Sequence, residues 1–115
     1  MISARDQTQI EAKIAEMVRR IVDGFGPERI ILFGSFANGT ADADSDVDLL
    51  VVMPLNASKR KRAAEIDLAL ADVGLPKDVI VVTPEEVDKY RDIVGSIIYP
   101  ALRDGKVLYE RAYCV

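Results

Sequence analysis

The chain has 115 residues, of which 50% are hydrophobic and 30% are charged, a balance typical of one compact globular domain over residues 1–115. No apolar run reaches the roughly 18 residues that cross a bilayer, and the N-terminus lacks a signal-peptide core. We therefore expect a cytoplasmic protein without a membrane partner. The formal net charge of −4 makes direct nucleic-acid binding an unfavourable hypothesis.

The residue inventory also limits the chemistry. The chain contains no histidine, which excludes Ser-His and Cys-His catalysis and histidine-bound zinc. Its one cysteine, Cys114, has no partner in the chain for a disulfide. Any reaction must therefore use carboxylates, lysines, hydroxyl groups or metals bound through oxygen.

The first half of the chain predicts two helical segments and two strands. Apolar residues at helical spacing predict an amphipathic helix over residues 10–22, which the Gly- and Pro-rich segment 23–27 ends. The short apolar segment 29–33 predicts a strand covered on both faces. A short helix or turn follows over residues 34–39, and residues 46–53 predict a second strand.

The second half continues the alternation of helices and strands. A helix is predicted over residues 58–73, a third strand over 78–83, and a strong helix start over 83–86. Helical structure should reach residue 103, with a break or a new start at Pro100, and residues 106–109 predict an edge strand. The fold class is therefore α/β (α+β), a small mixed sheet of three to four strands flanked by helices.

Acidic residues are concentrated at the start of the second predicted strand. Asp46 and Asp48 are two positions apart, so their side chains should leave the same face of a strand, while Val47 and Leu49 point into the core. Asp78 opens the third strand and can join them if the two strands are neighbours. Three carboxylates at strand ends suit Mg²⁺, which prefers oxygen ligands and shares its remaining positions with phosphate.

The alternative is that these aspartates form the polar face of an exposed strand. Asp42 and Asp44 also precede the pair, so the charge density is high. Like charges held together repel each other and cost stability. The pattern therefore favours a cation-binding role over simple solvation.

Gly34 and Ser35 follow the first predicted strand at a turn. Glycine lets a phosphate approach the backbone closely, and free N–H groups at such a turn attract anions. Taken alone, a Gly-Ser pair is typical of an ordinary turn.

The combined spacing is more specific. Gly34-Ser35, ten residues and then Asp46-x-Asp48 resembles the signature of the nucleotidyltransferase superfamily that includes DNA polymerase beta. The chain looks most like its smallest members, the minimal nucleotidyltransferases (MNT) found beside HEPN-domain proteins. Two further segments are similar to that family: residues 78–87, like its third-carboxylate strand, and residues 97–111, like its C-terminal end.

The resemblance implies roles for the three acids. Asp46 and Asp48 would be metal ligands. Asp78 would be the third acid, bound to a second metal or acting as a base. Two Mg²⁺ ions would bridge the acids and the phosphates of ATP or another nucleoside triphosphate.

The resemblance also implies a nucleotide-binding role for smaller residues. Gly34 and Ser35 would hold the terminal phosphates, and Ser45 would lie at the edge of the nucleotide. Asn38 departs from the family, which often has arginine in that position. Another basic residue would have to replace this cation, or turnover would be weaker.

The implied function is transfer of a nucleoside monophosphate, most readily AMP, to a hydroxyl group on a HEPN-domain toxin, with this chain as the antitoxin. Two alternatives stay open: a non-catalytic module that neutralises a partner by binding it, and a small-molecule nucleotidyltransferase of the aminoglycoside-modifying type. The basic run at residues 59–62 is compatible with RNA or partner binding, or with a solvated helix face.

Overall fold

The computed structural model describes residues 4–42, 44–55 and 58–111. In chain order its elements are α1 (Ala4–Phe25), β1 (Arg29–Phe33), α2 (Ser35–Asn38), β2 (Val47–Val52), α3 (Lys59–Ala69), β3 (Lys77–Val82), α4 (Pro84–Tyr90), α5 (Ile98–Asp104) and β4 (Lys106–Glu110). Within these ranges no helix has the length and apolar character needed to span a bilayer. Cys114 lies outside the described residues.

The four strands form one mixed sheet in the order β3-β2-β1-β4. β2 pairs in parallel with β3, and β1 pairs antiparallel with both β2 and β4. The parallel pair is possible because α3 crosses over between its two strands. The predicted mixed sheet flanked by helices is confirmed, including the fourth strand at the edge.

Each face of the sheet is buried against helices. On one face, Leu32 of β1 and Leu49 of β2 pack in a cluster with Met17 of α1 and Ile66 of α3. On the other face, residues such as Leu50 pack with buried side chains of α4 and α5. β1 is therefore covered on both faces, as its apolar sequence predicts.

The second strand differs from its prediction at both ends. It spans Val47–Val52, so Asp46 immediately precedes the strand and only Asp48 is part of it. The face that carries Asp48 is also apolar farther along, because Leu50 and Val52 are buried there. Asp48 thus lies at the polar end of a face that is otherwise part of the core.

The helices of the second half are shorter than predicted. α3 ends at Ala69, because the N–H of Leu70 is shared between the carbonyls of Ile66 and Asp67, and turns follow. α4 begins with a complete capping box at Thr83 but ends at Tyr90. The helical break comes before Pro100, which lies in the first turn of α5, where its missing N–H costs no hydrogen bond.

Candidate functional site

The sheet brings two of the predicted acids side by side. Asp48 of β2 and Asp78 of β3 are register partners in the parallel pair. Neighbouring strands lie about 4.8 Å apart, and paired residues share a face. Asp78 is exposed and Asp48 is partly buried. The condition set by the sequence, that the third strand neighbours the second, is therefore met.

The carboxylates at this sheet end influence one another. Burial raises the pKa of Asp48 above its ordinary value, and the negative charges of Asp78 and then Asp46 raise it further. Among the described residues, no ion pair or side-chain hydrogen bond reaches any of these three carboxylates. The site thus has an excess of negative charge that the described part of the chain does not compensate.

Gly34 lies directly against this charge. Its backbone has φ 76° and ψ −154°, a region that L-residues with side chains rarely adopt. A β carbon built at this position would overlap Oδ2 of Asp48 and would lie 3.3 Å from its Cγ. The cause is the β1–β2 register, which pairs Phe33 with Asp48 and so places the next residue at the carboxylate. Only glycine fits here.

The turn continues into the short helix α2. The carbonyl of Gly34 accepts hydrogen bonds from the N–H groups of Ala37 and Asn38. The first N–H groups of a helix have no acceptor within it, so the N–H of Ser35 is suited to an anion. Asn38, which replaces the family's frequent arginine, is exposed at the last position of α2.

In the loop before β2, one aspartate is engaged in hydrogen bonds within the loop itself. Asp42 accepts hydrogen bonds from the N–H of Asp44 at 2.9 Å and from the hydroxyl of Ser45 at 3.2 Å. The N–H of Asp42 in turn donates to Oγ of Ser45 at 2.9 Å. Asp42 and Ser45 therefore shape the loop that leads to Asp46, and the Ser45 hydroxyl is already engaged.

The donor set fits a divalent cation. Carboxylate oxygens are hard ligands, and Mg²⁺ is usually held by one or two carboxylates together with phosphates and water. The pKa of Asp48 is raised mainly by burial and further by the charges of Asp78 and Asp46, and a nearby cation would favour the charged carboxylate. In the described ranges, no three acidic, histidine or cysteine side chains form a closed metal-binding group. Phosphate oxygens and water would therefore have to complete the coordination of an ion bound by these carboxylates.

Sequence reasoning missed a residue that positions Asp78. Lys77 precedes it in β3, and its side chain is only 12% exposed. Its ammonium group lies 3.4 Å from Asp67 of α3. Because alternate residues of a strand face opposite sides, this ion pair fixes the start of β3 from the face behind Asp78. In the sequence, the only indication of this role was a lysine directly before the candidate acid Asp78.

The basic run lies away from the acids, at the opposite end of the sheet. β2 runs from the acidic end toward Val52, and α3 starts beyond it. Lys59 pairs with Glu86 of α4, and the guanidinium of Arg62 lies 5.9 Å from the ring centre of Phe25. Half of the run therefore attaches α3 to its neighbours.

Comparison with known proteins agrees with this geometry. A family profile described as a nucleotidyltransferase domain matches residues 11–100, most of the chain. The chain belongs to the nucleotidyltransferase family. A protein of Methanocaldococcus jannaschii, named provisionally as a protein adenylyltransferase, is 30% identical over 114 residues, covering 92% of this chain and 76% of that protein. As a member of this family, the protein is a nucleotidyltransferase, an enzyme that acts on a nucleoside triphosphate.

Solved structures share the fold of this nucleotidyltransferase. One from Sulfolobus solfataricus, provisionally described as a nucleotidyltransferase, has a TM-score of 0.60 at 22% identity, covering 91% of this chain and 86% of that one. A toxin–antitoxin structure with AMP-PNP gives 0.52 at 24% identity, covering 88% and 73%. An MntA–HpeT toxin–antitoxin mutant gives 0.51 at 20% identity, covering 84% and 72%.

Proposed function

We propose that this nucleotidyltransferase transfers AMP from ATP to a hydroxyl group of a partner protein, with Asp46, Asp48 and Asp78 as the acidic residues of the reaction. The observation that carries the proposal is the position of Asp48, which lies beside Asp78 and against the backbone of Gly34. This proximity supports the proposal, because phosphoryl transfer needs the cation and the phosphates to be held next to each other.

Each residue has a role in this proposal. Asp48 and Asp78 would hold Mg²⁺, with Asp46 as a further ligand at the exposed side. Gly34 and Ser35 bind the terminal phosphates through backbone N–H groups and the hydroxyl. Bound Mg²⁺ supplies charge neutralisation to the phosphates and to the departing pyrophosphate. The site would hold a second Mg²⁺.

Asp78 is the residue proposed to receive the acceptor's proton. It is exposed at the sheet edge, so a hydroxyl group of a docked protein has access to it. The acceptor oxygen attacks the α-phosphorus, the bond to the β-phosphate oxygen breaks, and pyrophosphate leaves. Ser45 is assigned to the nucleotide edge, although its hydroxyl already hydrogen-bonds to Asp42.

The partner is proposed to be a HEPN-domain toxin, with this chain as the antitoxin. The support comes from the M. jannaschii relative, whose provisional name is protein adenylyltransferase, and from the toxin–antitoxin structures that share the fold. In one of those structures two aspartates, two positions apart, are both replaced by glutamate. Asp46-x-Asp48 has that same spacing.

The test is a transfer assay with Mg²⁺, ATP labelled at the α-phosphate, a purified HEPN-domain toxin and an aminoglycoside as alternative acceptor. Label on the toxin supports the proposal, and Asp46→Asn should reduce the labelling strongly. Asp88→Asn, which removes an exposed carboxylate of α4, is the matched control and should transfer normally. Label on the aminoglycoside, or toxin binding without label, would contradict protein adenylylation.

A further inference from the structure

β3 is an edge strand whose outer side is open. In the sheet order β3-β2-β1-β4 it pairs with β2, and no other strand in the described part of the chain lies beside it. Its first part is the more accessible one. Asp78 is exposed and Val79 and Ile80 are half-buried, whereas the side chains of Val81 and Val82 are buried. The accessible part of this edge therefore contains Asp78, one of the proposed catalytic residues.

The hydrogen bonds between β2 and β3 show which backbone groups point to the open side. The N–H of Val47 donates to the carbonyl of Pro76 at 2.9 Å, and Val47 is the register partner of Lys77. In a parallel pair, residues that bond to the neighbouring strand alternate with residues that do not. With this phase, the backbone groups of Asp78 bond to β2, while those of Lys77 and Val79 point away from it. No hydrogen bond outside the sheet ladder reaches these outward groups from a described residue.

Unpaired N–H and carbonyl groups along a strand edge are a template for one more strand. An extended peptide supplies donors and acceptors at the matching spacing, whereas the backbone groups of a helix bond within the helix. The chemistry of the outer edge of β3 therefore selects an extended protein segment.

The phase also determines what such a segment would bring to Asp78. Antiparallel pairing is the more stable form, and because the backbone groups of Asp78 bond to β2, the residue opposite it would form a non-hydrogen-bonded pair. In such pairs the Cα atoms are about 4.5 Å apart and the side chains lie close together. Cross-strand partners share a face, so this side chain would lie on the face of Asp78 and its register partner Asp48.

The two edges of the sheet differ in their protection against pairing. Edge strands are commonly protected by free lysines and by bulges. β4 has an exposed Lys106 and an irregular register with β1. On β3, the ammonium group of Lys77 lies 3.4 Å from Asp67 of α3, and its side chain is only 12% exposed. The lysine of this edge is thus held against α3, which leaves the backbone beside Asp78 open.

We propose that the acceptor in the proposed transfer reaction, on which this inference rests, is an extended segment of the partner protein that pairs antiparallel with the outer edge of β3. A hydroxyl side chain of the segment lies opposite Asp78. Its oxygen forms a bond to the α-phosphorus of ATP, its proton passes to Asp78, and the bond to the β-phosphate oxygen breaks as pyrophosphate leaves. Acidic residues beside the hydroxyl would be repelled by the carboxylates, so the segment is neutral or basic there.

Amide hydrogen exchange tests the pairing directly in the wild type. In the free protein, the amides of Lys77 and Val79 should exchange faster than that of Asp78, which bonds to β2. A purified HEPN-domain toxin, added with Mg²⁺ and a non-hydrolysable ATP analogue, should slow the exchange of Lys77 and Val79 at least about tenfold. The amide of Glu110 at the other edge should not change. Unchanged exchange on β3, or protection of β4 instead, would overturn the pairing.

Val79→Pro tests the same edge through kinetics. Proline removes an outward N–H, and edge positions of this kind tolerate it because no bond to β2 is lost. We expect the KM for the toxin to rise about tenfold, the effect of one lost backbone hydrogen bond, while the KM for ATP stays unchanged. Thermal unfolding confirms that the variant folds.

Glu110→Pro is the matched control at the other edge of the sheet. The N–H of Arg111 donates to the carbonyl of Glu28 at 2.8 Å, so by the same alternation the N–H of Glu110 points away from β1. This variant also loses an outward N–H, and it should transfer label with the wild-type KM for the toxin. An equal rise of KM in both variants would contradict pairing at β3.

Different results contradict the strand pairing and the transfer reaction. Label transferred to the toxin with the same KM by the wild type and Val79→Pro would overturn the pairing and leave adenylylation standing. Protection of Lys77 and Val79 without any label on the toxin would support the pairing and overturn the transfer. If Val79→Pro does not fold, hydrogen exchange of the wild type decides.

Discussion

Two groups of carboxylates in this molecule have opposite electrostatic surroundings. On α1, Glu16 accepts hydrogen bonds from the guanidinium groups of Arg19 and Arg20, which lower its pKa to about 2. Arg20 also pairs with Asp72, whose pKa is lowered in the same way. These acids are neutralised by the chain's own cations and connect α1 to the end of α3.

At the acidic end of the sheet the situation is reversed. The pKa of Asp48 is raised by burial and by the charges of Asp78 and Asp46, and no described cation pairs with these three residues. In both groups of carboxylates, the acidic residues lie close in sequence to other charged residues. The difference indicates that the α1 group has a structural role, while the acidic group has no partner among the described residues and is where we propose that Mg²⁺ binds.

The largest effect should come from Asp48→Asn in the transfer reaction. We expect a loss of at least about 10²-fold in kcat, the usual consequence of removing one electrostatic contact to the transition state. The variant should fold at least as stably as the wild type, because it removes a charge that its neighbours destabilise. Rates and thermal unfolding are measured together. Glu16→Gln is the matched control and should keep normal activity. Normal activity of Asp48→Asn would contradict the different roles inferred for the two groups of carboxylates.

Mg²⁺ should change the stability of the protein through the carboxylates at the acidic end of the sheet and not through those of α1. At ten times its Kd, Mg²⁺ should raise the free energy of unfolding of the wild type by about 1.4 kcal/mol, because it binds the folded state alone. Asp48→Asn should lose this increase and Glu16→Gln should keep it. Urea denaturation with and without Mg²⁺ is the measurement. An equal effect of Mg²⁺ on the wild type and Asp48→Asn would place the ion elsewhere.

Arg20→Met should affect stability and leave chemistry unchanged. Arg20 donates to the carbonyl of Ala69 at 3.1 Å and to Glu16 and Asp72, so its loss leaves these groups without their partner. Because Asp72 is largely exposed and solvent screens its charge, we expect only a small decrease in the free energy of unfolding. Chemical denaturation gives the value, and transfer activity of the folded variant should match the wild type. A large loss of activity would show that the α1 group is not purely structural.

The smallest effect concerns pH. The pKa of Glu16 falls from 4.5 to about 2 on folding, so its contribution to stability is present above pH 4.5 and is lost as pH falls toward 2. Glu16→Gln should therefore flatten this part of the stability curve. Asp48, whose pKa is raised from 3.8, has the opposite sign, since its contribution is lost as pH rises through its folded pKa. Unfolding measured from pH 2 to 6 in both variants checks the two signs.

Local patterns predicted much of the fold correctly. The helix start predicted over residues 83–86 depends on residues within three positions of each other, and it forms with a complete capping box at Thr83. The buried spacing of Ile66 and Leu70 follows from helical periodicity alone. The boundaries were less accurate, because the ends of α3 and α4 depend on turns whose hydrogen bonds compete closely with those of the helix.

The sequence named the candidate site residues, and the structure added their surroundings. The spacing of Gly34-Ser35 and Asp46-x-Asp48 resembles the nucleotidyltransferase signature, and the structure brings Gly34 next to the carboxylate of Asp48. The Lys77–Asp67 pair behind Asp78 joins two different elements. Such partners have no fixed spacing in sequence, so the sequence shows a lysine next to Asp78 but does not reveal its pairing with Asp67.

By itself, the sequence determined which segments form helices and strands and which aspartates are available for chemistry, because periodicity and turn residues act over a few neighbouring positions. Only the tertiary structure decided which acids are paired with arginine and which remain uncompensated. It also left the outer edge of β3 without a neighbouring strand among the described residues. Both outcomes depend on residues brought together by strand order and helix packing, and charge compensation is a property of that arrangement in space.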